Sequence, residues 1–365
     1  MVSDRNVGGA GRYLLNLLPG LAAEGMEVAV ACPGGGELEA ELKRQGWRPL
    51  LLSRGDVSFS AAAVREVYGF LAGGRYDVVH THASLAGRVA ARLARVPVLV
   101  LTRHGLGGGR PAPAWKRRLN RLAAHALTDA VIAISEAVAA QVQAEGVDVR
   151  QIEVVPNGID VDEFARASGA AVRLELGVGG RPLVGMVARL VPEKAPQDFI
   201  RAAALVKRRC PEAAFLLAGS GPAAGELKEL ASRLGLGSEF HFLGYRRDVA
   251  AVTAALDVAV LTSHREGLGL VLLEAMAAAK PVVATAVGGI TEVVEPEVTG
   301  LLVPPGEPEQ VAAAVERLLR DRKRAAQLGR AGQQLAWSRF SRAAMARETA
   351  AIYEELLAKR RRGRA

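Results

Sequence analysis

Short aliphatic runs alternate with longer segments of helical periodicity along almost the whole chain, and this alternation is what most constrains the fold. Nearly continuous apolar strands separated by helices are typical of parallel sheets covered on both faces. The strand candidates are Glu27–Ala31, Asp77–His80, Val96–Leu101, Ala130–Ile134, Glu153–Val155, Leu183–Ala188, Ala213–Ala218, Phe240–Leu243, Val258–Leu261, Val282–Ala284 and Gly300–Val303. The pattern predicts an α/β fold.

The strand candidates fall into two groups, and 365 residues are too many for one ordinary core. The stretch "VVPNGIDVDEF" at Val154–Phe164 separates the groups and holds a Pro-Asn-Gly turn signal. We therefore predict two Rossmann-like domains, residues 1–160 and 161–340, whose parallel sheets face each other across a cleft, and a helical tail over 341–365. Because "MVSDRNVGGAGRYLLNLL" leads from a loop directly into a helix, the first strand of the N-terminal domain is expected to be missing.

The charge balance favours an anionic partner. Lys and Arg number 47 against 38 Asp and Glu, a formal net charge of +9, which suits nucleic acid, a phosphorylated ligand or an acidic membrane. The two cysteines, Cys32 and Cys210, lie far apart and indicate a reducing compartment. No apolar run approaches the ~20 residues that span a bilayer, and no basic region followed by an apolar core opens the chain. We expect a cytoplasmic protein, soluble or at most peripheral on the plasma membrane.

Two glutamates stand eight positions apart in the segment "SHREGLGLVLLEAMA". Glu266 lies in a glycine-containing loop after a strand candidate, and Glu274 lies inside an apolar helical run. A buried carboxylate is costly unless a polar group meets it, and two neighbouring ribose hydroxyls would suit it. Glycines and a helix N-terminus allow phosphate to approach the backbone. The alternative is an unrelated loop glutamate and a helix glutamate that reaches solvent.

Two cations follow the strand candidate Leu183–Ala188. Arg189 and Lys194 in "MVARLVPEKAPQDF" would stand at the carboxyl end of a parallel strand, where ligands bind in open sheets. Such a pair suits a diphosphate, since arginine can bind two oxygens at once. Ordinary solvated loop charges are the alternative.

Taken together, these segments resemble the nucleotide-sugar site of the retaining glycosyltransferases of family 4, which have the GT-B fold. The blocks "EGLGLVLLEAMAAAKPVVATAVGGITEVVEPEVTGLLVPPGEPEQVAAAV" and "RLVPEKAPQDFIRAAALV" carry the resemblance, with "VPNGID", "AGSGP", "FLGYRRDV" and the N-terminal "GGAGRYLLNL". The family's E-x7-E pair is matched by Glu266 and Glu274, and its Arg-x4-Lys pair by Arg189 and Lys194.

The resemblance implies a role for each matching residue. Glu274 would hold the ribose hydroxyls, and Glu266 would contact the transferred sugar. Arg189 and Lys194 would bind the diphosphate, and His104 in "LTRHGLG" would face the sugar from the N-terminal domain. The remaining donor-binding positions are the loop at Gly267, Leu268 and Gly269, the base-facing Gly244, Tyr245 and Arg246, and the facing loop at Gly8 and Gly9. Leu268 departs from the family, which commonly has an aromatic residue there.

The implied reaction is metal-independent hexosyl transfer from a nucleoside diphosphate sugar to an acceptor hydroxyl with retention of configuration, in cell-envelope glycan or glycolipid synthesis. No cofactor is expected. "DVD" at Asp160–Asp162 and "HTH" at His80–His82 resemble metal ligands, but the former lies in the linker motif and the latter lacks a nearby cluster of partners. "GSGPAAG" at Gly219–Gly225 misses the G-x-G-x-x-G spacing of dinucleotide loops.

A basic segment, "RPAPAWKRRLNRLAAHAL", places an aromatic residue among cations on a predicted helix. The residues concerned are Trp115, Lys116, Arg117, Arg118 and Arg121. A cationic, partly apolar helix can lie on an anionic leaflet, as in family members that act on lipid acceptors; the alternative is a solvated basic face. We expect a nucleotide sugar and an acceptor glycan or lipid as partners, and no nucleic acid.

Three alternative functions stay open at this point. An NAD-dependent oxidoreductase would share the two α/β halves. It would require the G-x-G-x-x-G spacing, which "GSGPAAG" misses, and an acidic residue that binds the ribose. A nucleotide-sugar epimerase would share the architecture and differ in its products. A non-catalytic, membrane-associated binding protein would need only the basic face.

Overall fold

The computed structural model describes residues 1–2, 5–53, 60–82, 84–107 and 113–363. The chain divides into two compact units. Unit 1 comprises Met1–Gly158 and Arg342–Ala365, and unit 2 comprises Ile159–Ser341. The last helix of the chain, which the sequence treats as a separate tail, therefore belongs to the N-terminal unit.

Unit 1 contains two parallel sheets among its described residues. The first pairs β1 (Ala31–Pro33) with β2 (Leu50–Leu52), and the second has the order β3-β4-β5-β6. The strands of the second sheet are β3 (Val78–His82), β4 (Val98–Arg103), β5 (Ala130–Ala133) and β6 (Ile152–Val154). The strands β4 and β5 are buried almost throughout, as parallel strands covered on both faces must be.

The first two residues connect these sheets. The Val2 amide donates to the Ala31 carbonyl (3.0 Å), the His82 amide donates to the Met1 carbonyl (2.9 Å), and Val2 forms a parallel bridge with His82. Where the sequence predicts a missing first strand, the described chain thus has a single bridging residue, whose side chain is buried.

Seven helices surround the sheets in the described part of unit 1. They are α1 (Gly9–Ala23), α2 (Glu37–Arg44), α3 (Ala61–Ala72), α4 (Leu85–Leu93), α5 (Ala114–Leu127), α6 (Glu136–Ala144) and α16 (Arg342–Arg362). Serine hydroxyls cap α3, α4 and α6 by accepting from amides in the first turn. The helix α16 packs closely on α1: a Cβ built on Gly20 would lie 2.3 Å from the Ala346 Cβ, so this contact requires a glycine.

Unit 2 is built on one six-stranded parallel sheet with the order β12-β11-β10-β7-β8-β9. Its strands are β7 (Leu183–Val187), β8 (Ala214–Ala218), β9 (Phe240–Gly244), β10 (Val258–Leu261), β11 (Val282–Thr285) and β12 (Gly300–Val303). From β7 the chain first builds the sheet outward through β8 and β9, and then returns to the other side of β7 at β10. The order reverses between β7 and β10, and ligands of open α/β sheets bind at the carboxyl ends of such a pair.

Nine helices cover this sheet in the described residues of unit 2. They are α7 (Val161–Arg166), α8 (Ala170–Glu175), α9 (Pro196–Arg209), α10 (Ala224–Arg233), α11 (Val249–Ala255), α12 (Leu270–Ala277), α13 (Ile290–Val293), α14 (Pro308–Arg320) and α15 (Arg322–Arg339). The N-terminus of α7 is capped by the Asp160 side chain, which accepts from the Glu163 amide (3.2 Å). This contact gives the first aspartate of "DVD" a structural role.

The predicted α/β class is confirmed, whereas in unit 1 one predicted strand is misplaced and one strand was not predicted. Residues Glu27–Val30 do not form a strand; the ladder begins at Ala31, which pairs with Leu50 and whose carbonyl accepts from the Val2 amide (3.0 Å), while the Leu50 amide donates to the Val30 carbonyl (2.6 Å). The strand Leu50–Leu52 was missed, because three residues after a tryptophan and an arginine give too short an apolar run to show periodicity.

Candidate active site

The switch between β7 and β10 brings two loops side by side in unit 2. The loop after β7 carries Arg189 and Lys194, and the loop after β10 carries Ser263–Gly269. They are joined by backbone, since the amide of His264 donates to the carbonyl of Glu193 (2.9 Å). The two sequence segments that were predicted to bind one ligand therefore lie in contact.

Lys194 and Glu266 form an ion pair at this junction. The Lys194 Nζ binds the Glu266 Oε2, and the Ser263 hydroxyl donates to the same oxygen (3.1 Å). Only 17% of the lysine side chain and 13% of the glutamate side chain are exposed. Charges so poorly hydrated interact strongly with each other and with any incoming ion.

The glycines of the Glu266 loop are held by the neighbouring loop after β11. The Gly289 amide donates to the Glu266 carbonyl (3.1 Å), and a Cβ on Gly289 would lie 2.1 Å from the Gly267 carbonyl oxygen. Gly269 adopts φ +93°, in the left-handed region, and begins α12. Leu268 is buried, so this side chain anchors the loop in the core.

Glu274 lies in the second turn of α12, in the most apolar helix of the site. Its residue exposure is only 3%, and its neighbours Leu272, Leu273, Ala275 and Met276 are buried as well. A carboxyl group in such surroundings is retained at a free-energy cost. It lies five positions after Gly269, in the helix that follows the Glu266 loop.

The backbone around Arg189 is fixed by the loop after β8. A Cβ on Gly219 would lie 1.8 Å from the Ala188 carbonyl oxygen, and one on Gly221 would lie 2.3 Å from the Leu190 carbonyl oxygen. The Leu190 amide also donates to the Ser220 carbonyl (2.9 Å). The glycines of "AGSGP" thus allow the two loops to approach closely. The side chain of Arg189 is exposed and extends from the backbone that these contacts hold in place.

The predicted base-facing segment follows β9. The Gly244 carbonyl accepts from the Gly219 amide (2.7 Å), which places it beside the same loop. The Tyr245 side chain is exposed. The Arg246 guanidinium binds Glu175 (2.7 Å) and Asp248 (2.7 Å), and these carboxylates raise the pKa of the arginine. This arginine is therefore engaged by its own unit, in contrast to Arg189.

Of the residues predicted in unit 1, Gly8 and Gly9 form the start of α1. Gly8 is the N-cap, and a Cβ on Gly9 would have open space around it. His104 follows the last residue of β4, and its Nε2 lies 2.8 Å from the Nδ1 of His82. Burial, with a smaller contribution from Arg103, lowers the pKa of His104 to about 4.

His104 belongs to a stack of rings that sequence reasoning did not anticipate. The rings of His80 and His82 stack at 4.6 Å, those of His82 and His104 at 5.0 Å, and Tyr13 meets His104 edge-on at 4.8 Å. His80 also contacts the hydroxyls of Thr102 (2.6 Å) and of Tyr353 in α16 (2.5 Å). Burial lowers the pKa of both His80 and His82 well below the usual value, so the stack is neutral.

The predicted basic helix is α5, and it exposes large apolar side chains beside its cations. Lys116, Arg117, Arg118 and Arg121 are all exposed. The exposed fraction is 68% for Trp115, 57% for Leu119 and 67% for Leu122. No helix in the described part of the chain is long and apolar enough to cross a membrane. Residues 110–112 of the basic segment lie outside the described residues, as does Arg364 in the predicted helical tail over 341–365.

Metal ligation was discounted for the "HTH" and "DVD" motifs. The described residues contain no group of three or more His, Cys, Asp or Glu side chains placed to hold a metal ion.

The residues that sequence reasoning missed are Ser263, the partner of Glu266, and the pair of Asp198 and His264 (2.9 Å). Ser263 and His264 both lie inside the quoted glutamate motif, but nothing in their spacing shows which partners they meet.

Comparisons with known proteins identify the family of this chain. Residues 174–335 match the model of the glycosyl transferases group 1, and residues 7–163 match that of glycosyltransferase family 4. The chain is 36% identical over 279 residues to a D-inositol 3-phosphate glycosyltransferase of Nocardia farcinica, covering 70% of this chain and 61% of the relative's length. It is 32% identical over 273 residues to the UDP-Gal:alpha-D-GlcNAc-diphosphoundecaprenol alpha-1,3-galactosyltransferase of Escherichia coli, covering 70% of each.

A solved structure is similar over almost its full length. The crystal structure of Anabaena Alr3699/HepE in complex with UDP-glucose superposes with a TM-score of 0.86 at 26% identity, covering 97% of this chain and 98% of that one. The likeness extends to both units, and it assigns the pair of parallel-sheet units to the GT-B architecture.

Proposed function

This chain belongs to the group 1 and family 4 glycosyltransferases, and on that premise we propose that it transfers a hexose from a nucleoside diphosphate sugar to an acceptor hydroxyl. The observation that carries the proposal is the junction at the β7–β10 switch. There Lys194 and Glu266 are in contact, a rigid turn presents Arg189, and Glu274 lies buried in the helix that follows Gly269. The junction combines cations for a diphosphate with carboxylates for hydroxyl groups.

Each side chain has a part in the proposed reaction. Arg189 and Lys194 bind the diphosphate and stabilise the negative charge that builds as it leaves, because they are positioned before the reaction begins. Glu274 accepts hydrogen bonds from the two ribose hydroxyls, and Glu266 binds a hydroxyl of the sugar. Gly244 and Tyr245 are proposed to contact the base, His104 to face the sugar, and Gly8 and Gly9 to form the facing loop, as the family resemblance implies.

Retention of configuration and independence from metal ions are part of this proposal. The acceptor hydroxyl attacks the face from which the diphosphate departs, and the departing phosphate oxygen takes its proton. No protein base is then needed, and the two cations supply the charge stabilisation that a metal ion would otherwise give.

A uridine nucleotide is the first donor to test, since the Anabaena relative was crystallised with UDP-glucose. The test is a panel of UDP-, GDP-, ADP- and TDP-hexoses incubated with the full chain, in buffer with and without EDTA. We expect release of one nucleoside diphosphate from one or two donors, unaffected by EDTA. Absence of release from every donor, with and without added acceptors, would contradict the proposal.

For the acceptor, we propose a cell-envelope glycan or glycolipid precursor reached at an anionic membrane surface. The support is the exposed side of α5, where Trp115, Leu119 and Leu122 accompany four cations. Apolar side chains can enter the headgroup region of the membrane. Each Lys or Arg near an anionic surface contributes about 1 kcal/mol to the binding free energy. The Escherichia coli relative acts on a diphosphoundecaprenol-linked sugar, according to its name.

Vesicle sedimentation tests this surface. We expect binding to phosphatidylcholine vesicles that contain phosphatidylglycerol, and none to pure phosphatidylcholine. A variant with the four α5 cations, Lys116, Arg117, Arg118 and Arg121, replaced by glutamine should stay in the supernatant. The matched control replaces the four exposed cations Arg322, Lys323, Arg330 and Arg339 of α15 by glutamine and should sediment like the wild type. Equal sedimentation of wild type and the α5 variant would contradict membrane docking through α5.

A further inference from the structure

His264 connects the two loops that carry Lys194 and Glu266. Its amide donates to the Glu193 carbonyl (2.9 Å), and the amide of Arg265 points to the same oxygen (3.4 Å). Its Nε2 lies 2.9 Å from the Oδ2 of Asp198, in the first turn of α9. One residue thus contacts both the turn before α9 and the helix itself.

The Asp198 carboxylate is a firm anchor for this imidazole. Only 6% of the aspartate side chain is exposed, against 43% for His264. One carboxylate oxygen accepts from Arg201 (3.1 Å) and the other faces His264, so both oxygens are used. Because a carboxylate only accepts hydrogen bonds, the Nε2 of His264 must carry the hydrogen, and this fixes the orientation of the ring.

The contact between His264 and Asp198, called the tether below, lies next to the ion pair of Lys194 and Glu266. His264 adjoins Ser263, whose hydroxyl donates to Glu266, and Thr262 donates to the Ala195 carbonyl (2.9 Å), one residue after Lys194. A shift of this loop would therefore move Glu266 relative to Lys194.

We propose that His264 is a positioning residue for sugar transfer: by binding Asp198 it holds the loop of Glu266 against the turn of Lys194. The proposal rests on the proposed function, since it concerns the same donor site. His264 acts through Lys194 and Glu266, and its hydrogen bond to Asp198 is the contact that matters. Misplacing reacting groups by about 1 Å can cost on the order of a hundredfold in rate.

The test compares His264→Ala with His264→Gln, whose amide can still donate to Asp198. The control is His241→Ala, which removes a half-buried imidazole from β9 of the same unit. UDP release from UDP-glucose gives kcat, calorimetry with UDP gives the Kd, and Tm reports folding. We expect His264→Ala to lower kcat about tenfold or more, with the Kd for UDP changed less than about threefold. Its Tm should match that of the control, and His264→Gln should restore most of kcat.

Hydrogen exchange supplies a second measurement that needs no donor. In His264→Ala the amides of His264 and Arg265 should exchange faster, and in His264→Gln they should be protected as in the wild type. If the wild type releases no nucleoside diphosphate from any donor sugar, the proposed function fails. Amide hydrogen exchange at His264 and Arg265 then decides by itself whether the contact between His264 and Asp198 holds the loop. Wild-type kcat in His264→Ala, or unchanged exchange at these amides, would overturn the proposal.

Discussion

The two units place very different polar groups at the carboxyl ends of their central parallel strands. In unit 1, His80 and His82 at the end of β3 and His104 directly after β4 form a stack of neutral histidines packed among tyrosines. In unit 2, the residues after β7 and β10 form an ion pair beside glycine loops. Similar parallel sheets can thus carry either a buried, uncharged cluster or a partly hydrated, charged one at their strand ends. Which of the two is present depends on the side chains that pack against those ends.

The difference has a physical cause in each unit. Burial against Tyr13 and Tyr353 makes the charged form of the histidines costly, so their pKa values fall. Around Lys194 and Glu266, each charge offsets the desolvation of the other, and both side chains stay partly exposed. We therefore expect charge stabilisation to come from unit 2.

Lys194→Ala should give the largest effect, because it removes the cation that is paired with Glu266. We expect a loss of about 2–4 kcal/mol of transition-state stabilisation, on the order of thirtyfold to a thousandfold in kcat. Lys194→Arg keeps the charge and should retain more activity. Steady-state kinetics measures the effect, and wild-type turnover in Lys194→Ala would remove this residue from the mechanism.

Glu274→Ala should weaken donor binding more than it slows the chemical step. The carboxylate is proposed to hold two ribose hydroxyls, and hydrogen bonds to a charged group contribute about 1.5–3 kcal/mol. The Kd for UDP should therefore rise by roughly tenfold or more in calorimetry. Glu292→Ala, on the neighbouring helix α13, serves as a control. If UDP binds Glu274→Ala as tightly as the wild type, the ribose assignment is wrong.

The neutral cluster of unit 1 predicts a stability loss in acid. The pKa of His104 is about 4 in the folded protein against 6.5 for an ordinary histidine. Between these values the unfolded chain binds more protons, so the free energy of unfolding falls as the pH falls from 6.5 towards 4 and is constant above that range. From pH 6.5 to pH 5, His104 alone should contribute about 2 kcal/mol to this loss.

Urea unfolding at pH 7 and at pH 5 measures this loss. His104→Gln should reduce the difference in the free energy of unfolding between pH 7 and pH 5. The substitution His125→Gln, at an exposed histidine, should leave that difference unchanged. Equal pH dependence in His104→Gln and the wild type would show that the histidine is not held neutral.

The smallest effect concerns the glycine loop of unit 2. Gly269→Ala places a side chain at φ +93° and should destabilise the loop by about 1–2 kcal/mol. Gly225→Ala is the control, since a Cβ there meets nothing within 4 Å and α10 tolerates alanine. A lower Tm for Gly269→Ala than for the control is expected. Equal Tm values would show that the loop does not depend on this backbone conformation.

Sequence patterns were sufficient for the architecture because strand and helix periodicities are local. They also singled out Lys194 and Glu266, whose role in a binding site stays a prediction. They could not show that these side chains meet, since the two are 72 positions apart and the order of strands decides their contact. The packing of α16 on α1 was hidden for the same reason: it depends on Gly20 meeting Ala346 across most of the chain.

The most direct test of the central claim is calorimetric titration of the full chain with UDP, UMP and uridine. If the charged junction of unit 2 binds a nucleoside diphosphate, UDP should bind more tightly than UMP. Lys194→Ala should narrow that difference, and Glu274→Ala should weaken all three ligands. Equal affinities of the wild type for UDP and UMP, or a UDP-to-UMP difference that Lys194→Ala leaves intact, would contradict the claim.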